Sequence, residues 1–142
     1  MSVRPVANVN DMKIDRLPQN RDARGNLVVA EFSEHVPFRV ARLFYVHDVP
    51  ANGVRGQHAH RRCRQYMICQ TGRLMIAATD GRHERRLQLN PGDAVLIEPG
   101  IFASETFIDP GTVLLVLCDR PYESNDYIRT VEELLAIRAE TE

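Results

Sequence analysis

The chain is cut into short pieces by turn-forming residues, and this punctuation limits its fold more than any other feature. Pro50-Ala51-Asn52-Gly53, Gly72, Asp80-Gly81, Asn90-Pro91-Gly92-Asp93, Pro99-Gly100 and Asp109-Pro110-Gly111 interrupt it in turn. Proline lacks the N–H that a central strand or helix needs, and glycine enters positive φ freely. Between the interruptions lie short strand-like segments: 26–32, 39–46, the stretch through His58 and His60, 65–69, 73–78, 83–89, 94–97, 102–108 and 112–118. Such segments, with turn signals roughly every 8–12 residues, define an all-β sandwich or barrel. Thr79-Asp80-Gly81 reads as a hairpin signal leading into 83–89. The tail breaks the pattern. Thr130-Val131-Glu132-Glu133 is a capping box, and Leu134, Leu135 and Ile137 follow as an apolar stripe. One C-terminal helix is therefore expected over about 130–140. Residues 1–23 carry no sustained period and read as an N-terminal arm, with the β domain over about 24–120. No internal repeat or linker marks a second domain, and 142 residues suffice for one with a real core.

Composition excludes several classes. The formal net charge is −1, so no basic footprint points to nucleic acid. No run approaches the roughly 20 apolar residues of a membrane helix, and Met1-Ser2-Val3-Arg4-Pro5 is not an apolar leader. A cytoplasmic protein without a membrane partner is expected. Cys63, Cys69 and Cys118 are odd in number, sit in strand-like contexts and form no C-x-x-C pair. They read as buried thiols in a reducing compartment.

The run Arg55-Gly56-Gln57-His58-Ala59-His60 carries the chemistry. Residues two apart on a strand share a face, so both imidazoles point the same way. Such a pair is either polar surface or a site for proton transfer, because imidazole titrates near pH 6.5 and serves as base and acid. Arg55 is placed to engage a phosphate or carboxylate in bidentate fashion, whereas Arg61 and Arg62 read as a solvated rim. Phe44 and Tyr45 are neighbours on one strand, so one faces inward and one outward.

The order His58-x-His60, Gln65, Gly72 resembles the first motif of the cupin β-barrels. In metal-binding cupins a glutamate stands where this chain has Gln65, so the paired imidazoles remain without the anionic ligand. A closer resemblance covers residues 22 to 135. Arg24-Gly25-Asn26-Leu27, Pro37-Phe38, Tyr45, Arg55-Gly56-x-His58-Ala59-His60, Gln65, Gly72 and Tyr122-x-x-x-Asp126-Tyr127-Ile128-Arg129 are similar to the sugar-nucleotide 3,4-ketoisomerases, small cupins acting on dTDP-4-keto-6-deoxyglucose.

The resemblance implies a cupin (double-stranded β-helix, jelly-roll) barrel with one C-terminal helix. It implies a homodimer with N-terminal strand exchange, and transfer of the keto group of a dTDP-linked 4-keto-6-deoxy sugar from C4 to C3 through an enediolate. No metal or other cofactor is expected. His58 is the expected carbon base, His60 its partner at oxygen, and Tyr45 a donor to the enediolate oxygen. Arg24, Arg55, Gln65 and Phe102 are the expected substrate contacts. One departure stands out: Phe102 and Ala103 occupy the places of a tryptophan and a histidine in the family. A 3,5-epimerase-like enzyme and a non-catalytic sugar-nucleotide-binding module are the alternatives. A metal-dependent dioxygenase is disfavoured, because two imidazoles are too few ligands for a firm transition-metal site.

Overall fold

The computed structural model describes residues 7–141; residues 1–6, which include the Met1–Pro5 stretch discussed above, and residue 142 lie outside that range. In chain order the strands are β1 (Ile14–Arg16), β2 (Gln19–Asp22), β3 (Gly25–Val28), β4 (Arg42–Val46), β5 (Gly53–His60), β6 (Gln65–Thr71), β7 (Leu74–Thr79), β8 (Glu84–Leu89), β9 (Asp93–Ile97), β10 (Phe102–Phe107), β11 (Val113–Cys118) and β12 (Tyr127–Ile128), followed by helix α1 (Val131–Thr141). They form two five-stranded antiparallel sheets, ordered β1-β9-β6-β11-β4 and β12-β5-β10-β7-β8, with β2 and β3 as a separate hairpin. This is the cupin-like barrel that the sequence motifs imply.

The apolar alternation decides what lies inside. Met67 and Cys69 of β6, Leu74 and Ile76 of β7, Ala103 and Phe107 of β10, and Leu114 and Val116 of β11 belong to one buried cluster between the sheets. The intervening residues Tyr66, Ile68 and Leu117 form a second cluster on the outer face of the first sheet, capped by Leu17 and Val36. Ala59, Ile128 and Leu134 form a third beneath α1, with Phe102 and Ile137 packed against it. Burying a side chain of this size contributes about 1.5–3 kcal/mol relative to exposure.

Most segment expectations coincide with strands. The Asp80-Gly81 loop does join β7 to β8, and its aspartate does more than turn the chain. Asp80 accepts backbone N–H bonds from Val9 (2.9 Å), Arg82 and His83 (both 2.8 Å), which ties the N-terminal arm to the barrel. Glu133 N donates to Thr130 Oγ1 at 3.1 Å, the N-cap bond that the capping box implies. Other boundaries differ. The strand expected over 26–32 stops at Val28, and the one expected from 39 begins at Arg42. The arm, read as unpatterned, holds β1 and β2. These strands are three and four residues long, and every residue of β2 is exposed, so neither leaves an apolar period to read.

Candidate active site

A single extra residue in β5 shapes the site. Ala103 of β10 pairs with His58, but the next residue, Ser104, pairs with Gly56, leaving Gln57 outside the register. Gly56 and Gln57 both have positive φ, 89° and 61°. This is a β-bulge, a device that re-aims side chains. Plain alternation would turn Arg55 away from His58 and His60. The bulge resets the phase, so that Arg55 pairs with Glu105, whose strand neighbours Ala103 and Phe107 lie in the barrel core. Position 56 favours glycine because its φ of 89° strains any other residue, and a Cβ there would also push the Glu105 carboxyl aside.

The two imidazoles are held in defined tautomers. His58 Nδ1 lies 3.2 Å from the Gly56 carbonyl, which only accepts, so Nδ1 carries the hydrogen and Nε2 the free lone pair. His60 Nδ1 donates to Asp126 Oδ2 at 2.9 Å, and its Nε2 is buried without a partner. Asp126 is 2% exposed, and is fixed in turn by the backbone N–H groups of Arg62 (2.7 Å) and Cys63 (3.2 Å). It ends the short 3-10 turn Ser124–Asp126 just before β12, which pairs with β5 so that Tyr127 lies opposite His60 and Ile128 opposite Ala59. The histidine rings meet edge to face, with centroids 5.0 Å apart. Tyr127 packs against both, at 4.8 Å from His58 and 4.6 Å from His60.

Burial lowers the His58 pKa, the neighbouring His60 lowers it further, and the Gly56 carbonyl opposes this in part. Burial also lowers the His60 pKa, against the pull of Asp126. Both rings are therefore neutral near pH 7 and available as bases.

The facing sheet contributes Arg42. Its guanidinium lies over the rings of Phe44 (5.4 Å) and Tyr122 (5.8 Å) and donates to Cys118 Sγ at 3.5 Å. Gln65 Nε2 approaches the same sulfur at 3.7 Å. The Cys63 thiol, Arg42 and Gln65 together lower the Cys118 pKa. All three cysteines are free and buried.

The expected site residues separate into two groups. His58, His60 and Arg55 share the inner face of β5. Gln65 faces the interior from β6, but its amide is committed to Cys118. Phe102 does not reach the interior. Alternation gives the inward place to Ala103, and Phe102 packs under α1 with Ala59 and Leu134. Tyr45 is on the outer face of the first sheet, 61% exposed and stacked on His47 at 5.7 Å, while Phe44 takes the inward place. Arg24 sits in the β2–β3 turn and pairs with Asp22 at 2.7 Å, its side chain 90% exposed. Within this chain the roles expected of Tyr45, Phe102 and Arg24 at the imidazoles are thus not met. Asp126, Tyr127, Arg42 and Glu105 were given no role by the sequence. The Asp126-Tyr127 dipeptide was visible as a motif, but nothing in the order of residues pairs it with His60.

His60, Cys63 and Asp126 also form a cluster of donor atoms within 4.8 Å of one another. Two of these donors already serve each other, His60 Nδ1–H bonding to the Asp126 carboxylate.

Two neutral imidazoles, each with its Nε2 free, one backed by a buried carboxylate, inside a small jelly-roll barrel, define a cupin-like site for acid–base chemistry. The chain belongs to the family described as FdtA: WxcM-like, C-terminal, whose pattern matches residues 10–139. A curated relative from Aneurinibacillus thermoaerophilus, TDP-4-oxo-6-deoxy-alpha-D-glucose-3,4-oxoisomerase, is 29% identical over 109 residues, covering 76% of this chain and 78% of its own. A 3,4-ketoisomerase from Helicobacter canadensis superposes with a TM-score of 0.84 at 32% identity, over 91% of this chain and 98% of that one. QdtA, a sugar 3,4-ketoisomerase from Thermoanaerobacterium thermosaccharolyticum solved in complex with TDP, superposes with a TM-score of 0.86 at 26% identity, over 94% and 98%.

Proposed function

We propose that this protein is a metal-independent sugar-nucleotide 3,4-ketoisomerase, moving the keto group of a dTDP-linked 4-keto-6-deoxyhexose from C4 to C3. The observation that carries the reading is the pair of unoccupied Nε2 atoms, on His58 and on the Asp126-backed His60, in a family whose named relatives perform this reaction. His58 Nε2 takes the C3 proton, whose acidity comes from the adjacent carbonyl, exchanges it with solvent, and delivers a proton to C4. His60 handles the oxygen protons, and Asp126 stabilises the imidazolium that forms. Arg55 and Arg42 are the cations for the diphosphate and the developing enediolate. Tyr127 holds both rings in place. The sugar nucleotide is the only small molecule this chemistry needs.

The test is incubation with dTDP-4-keto-6-deoxyglucose in D2O, followed by NMR. The reading expects a carbonyl relocated to C3 and deuterium at C4. Exchange with the carbonyl still at C4 would instead support the epimerase reading, and binding without exchange the binding-module reading. Full activity after chelation, with no stoichiometric metal in the protein, is the expected answer to the metal question.

A homodimer with N-terminal strand exchange belongs to the same reading. It is supported by apolar side chains left open on the outer face of the first sheet and on the β2–β3 hairpin: Leu43 (51% exposed), Tyr45 (61%) and Leu27 (61%). Leu43 and Tyr45 line a concavity of about 790 Å³ together with Val28, Ala30 and Leu115. A second copy is the occupant, and Tyr45 then acts in assembly.

A further inference from the structure

Among the described residues, Glu105 is the one buried carboxyl with no hydrogen bond or ion pair. It is 5% exposed. Its strand neighbours Ala103 and Phe107 are core residues, and it pairs in register with Arg55 of β5 and Ile76 of β7. Ionising a carboxyl on a residue this buried, with no hydrogen bond to it, is unfavourable. Its proton is retained near neutrality: burial pushes the Glu105 pKa up to about 8, against the pull of Arg55. The carboxyl lies against Gly56, whose carbonyl orients His58.

Ala103, two residues along the same inner face, carries no polar group where the resemblance places a histidine. The phenol expected to donate to the enediolate, that of Tyr45, is on the outside of the other sheet.

We propose that Glu105 is a catalytic residue of this chain: a neutral carboxylic acid that donates a hydrogen bond to the enediolate oxygen of the sugar. The inference rests on the isomerase reading and supplies the donor that its intermediate needs. A carboxylic acid kept protonated by an apolar site is a strong donor to a developing oxyanion, and donors of this kind contribute a large share of catalysis. No proton is transferred in this role, so Glu105 needs no resetting between turnovers. The titratable and charged groups that share its surroundings are Arg55 and His58 of β5; β7 presents only Ile76.

The experiment compares Glu105→Leu and Glu105→Gln with the parent, using dTDP-4-keto-6-deoxyglucose and NMR. Leucine removes the donor and should lower kcat about 10²–10³-fold, the range for loss of one oxyanion donor, with dTDP binding unchanged. Glutamine keeps a neutral N–H donor and should retain more activity than leucine. The parent rate should fall as pH rises through about 8, when the acid ionises, and this limb should vanish in Glu105→Gln. That last result decides the matter even if Glu105→Leu fails to fold. Parental turnover in Glu105→Leu, or an unchanged high-pH limb in Glu105→Gln, overturns the assignment while leaving the isomerase reading intact. An inactive parent overturns both.

Discussion

Each of the two histidines proposed as catalytic has its Nε2 freed by the hydrogen bond at its Nδ1. His58→Asn preserves size and hydrogen bonding, so the fold should persist while turnover falls at least about 10²-fold. Deuterium exchange at C3 should vanish with it, and normal turnover would remove His58 from the mechanism. Asp126→Asn should fail differently. An amide facing His60 Nδ1 favours the other tautomer and puts a hydrogen on Nε2. The expected result is a loss of at least tenfold in kcat with wild-type nucleotide binding, and about 1–3 kcal/mol of stability in urea melts from the strained buried network. Both imidazole pKa values are lowered in the folded protein. Protonation therefore silences the bases below the ordinary imidazole range, and kcat/KM should hold down to about pH 6.5 and fall only beneath it. The same sign governs stability: below about pH 6.5 the unfolded chain takes up protons that the folded chain resists, so acid should lower the melting temperature.

At the level of the strand, the bulge is the element most exposed to test. Deleting Gln57 should remove the bulge yet leave Arg55 on the face of His58, now two residues away and still opposite Glu105; the Gly56 carbonyl that holds His58 Nδ1 would be displaced, so kcat should fall while nucleotide affinity is kept. Gly56→Ala should cost about 1–3 kcal/mol, since its φ is positive and its Cβ would strike Glu105; an unchanged melt would count against that geometry. These features mark where the sequence was legible. Turn residues and alternation located the barrel strands, and the capping box located α1, because those signals are local. The His-x-His pair announced its shared face for the same reason. The bulge was invisible, since nothing in Arg55-Gly56-Gln57-His58 says which residue leaves the ladder. Which of Phe44 and Tyr45 faces inward, and on which side Phe102 lies, could not be read, because the parity of each strand relative to the core depends on register with partners far along the chain. Glu105 was missed because a lone glutamate in a strand reads as outward-facing until pairing shows otherwise.

For the molecule as a whole, the open apolar side chains of the first sheet bear on assembly. Leu43→Asp with Tyr45→Asp should shift light-scattering mass from dimer to monomer at micromolar concentration, whereas Tyr45→Phe should leave turnover within about twofold. No helix among the described residues is long and apolar enough to cross a membrane. The distance along the chain between His60 and Asp126, 66 residues, has a temporal consequence. Synthesis runs from the N-terminus, so the imidazoles emerge from the ribosome long before the carboxylate that fixes one of them. A nascent chain halted after β11 would hold a nearly complete barrel that binds poorly and turns over nothing. Catalytic competence would then arrive late and abruptly, with the closing segment that carries Asp126 and Tyr127, and any truncated product would be born inactive.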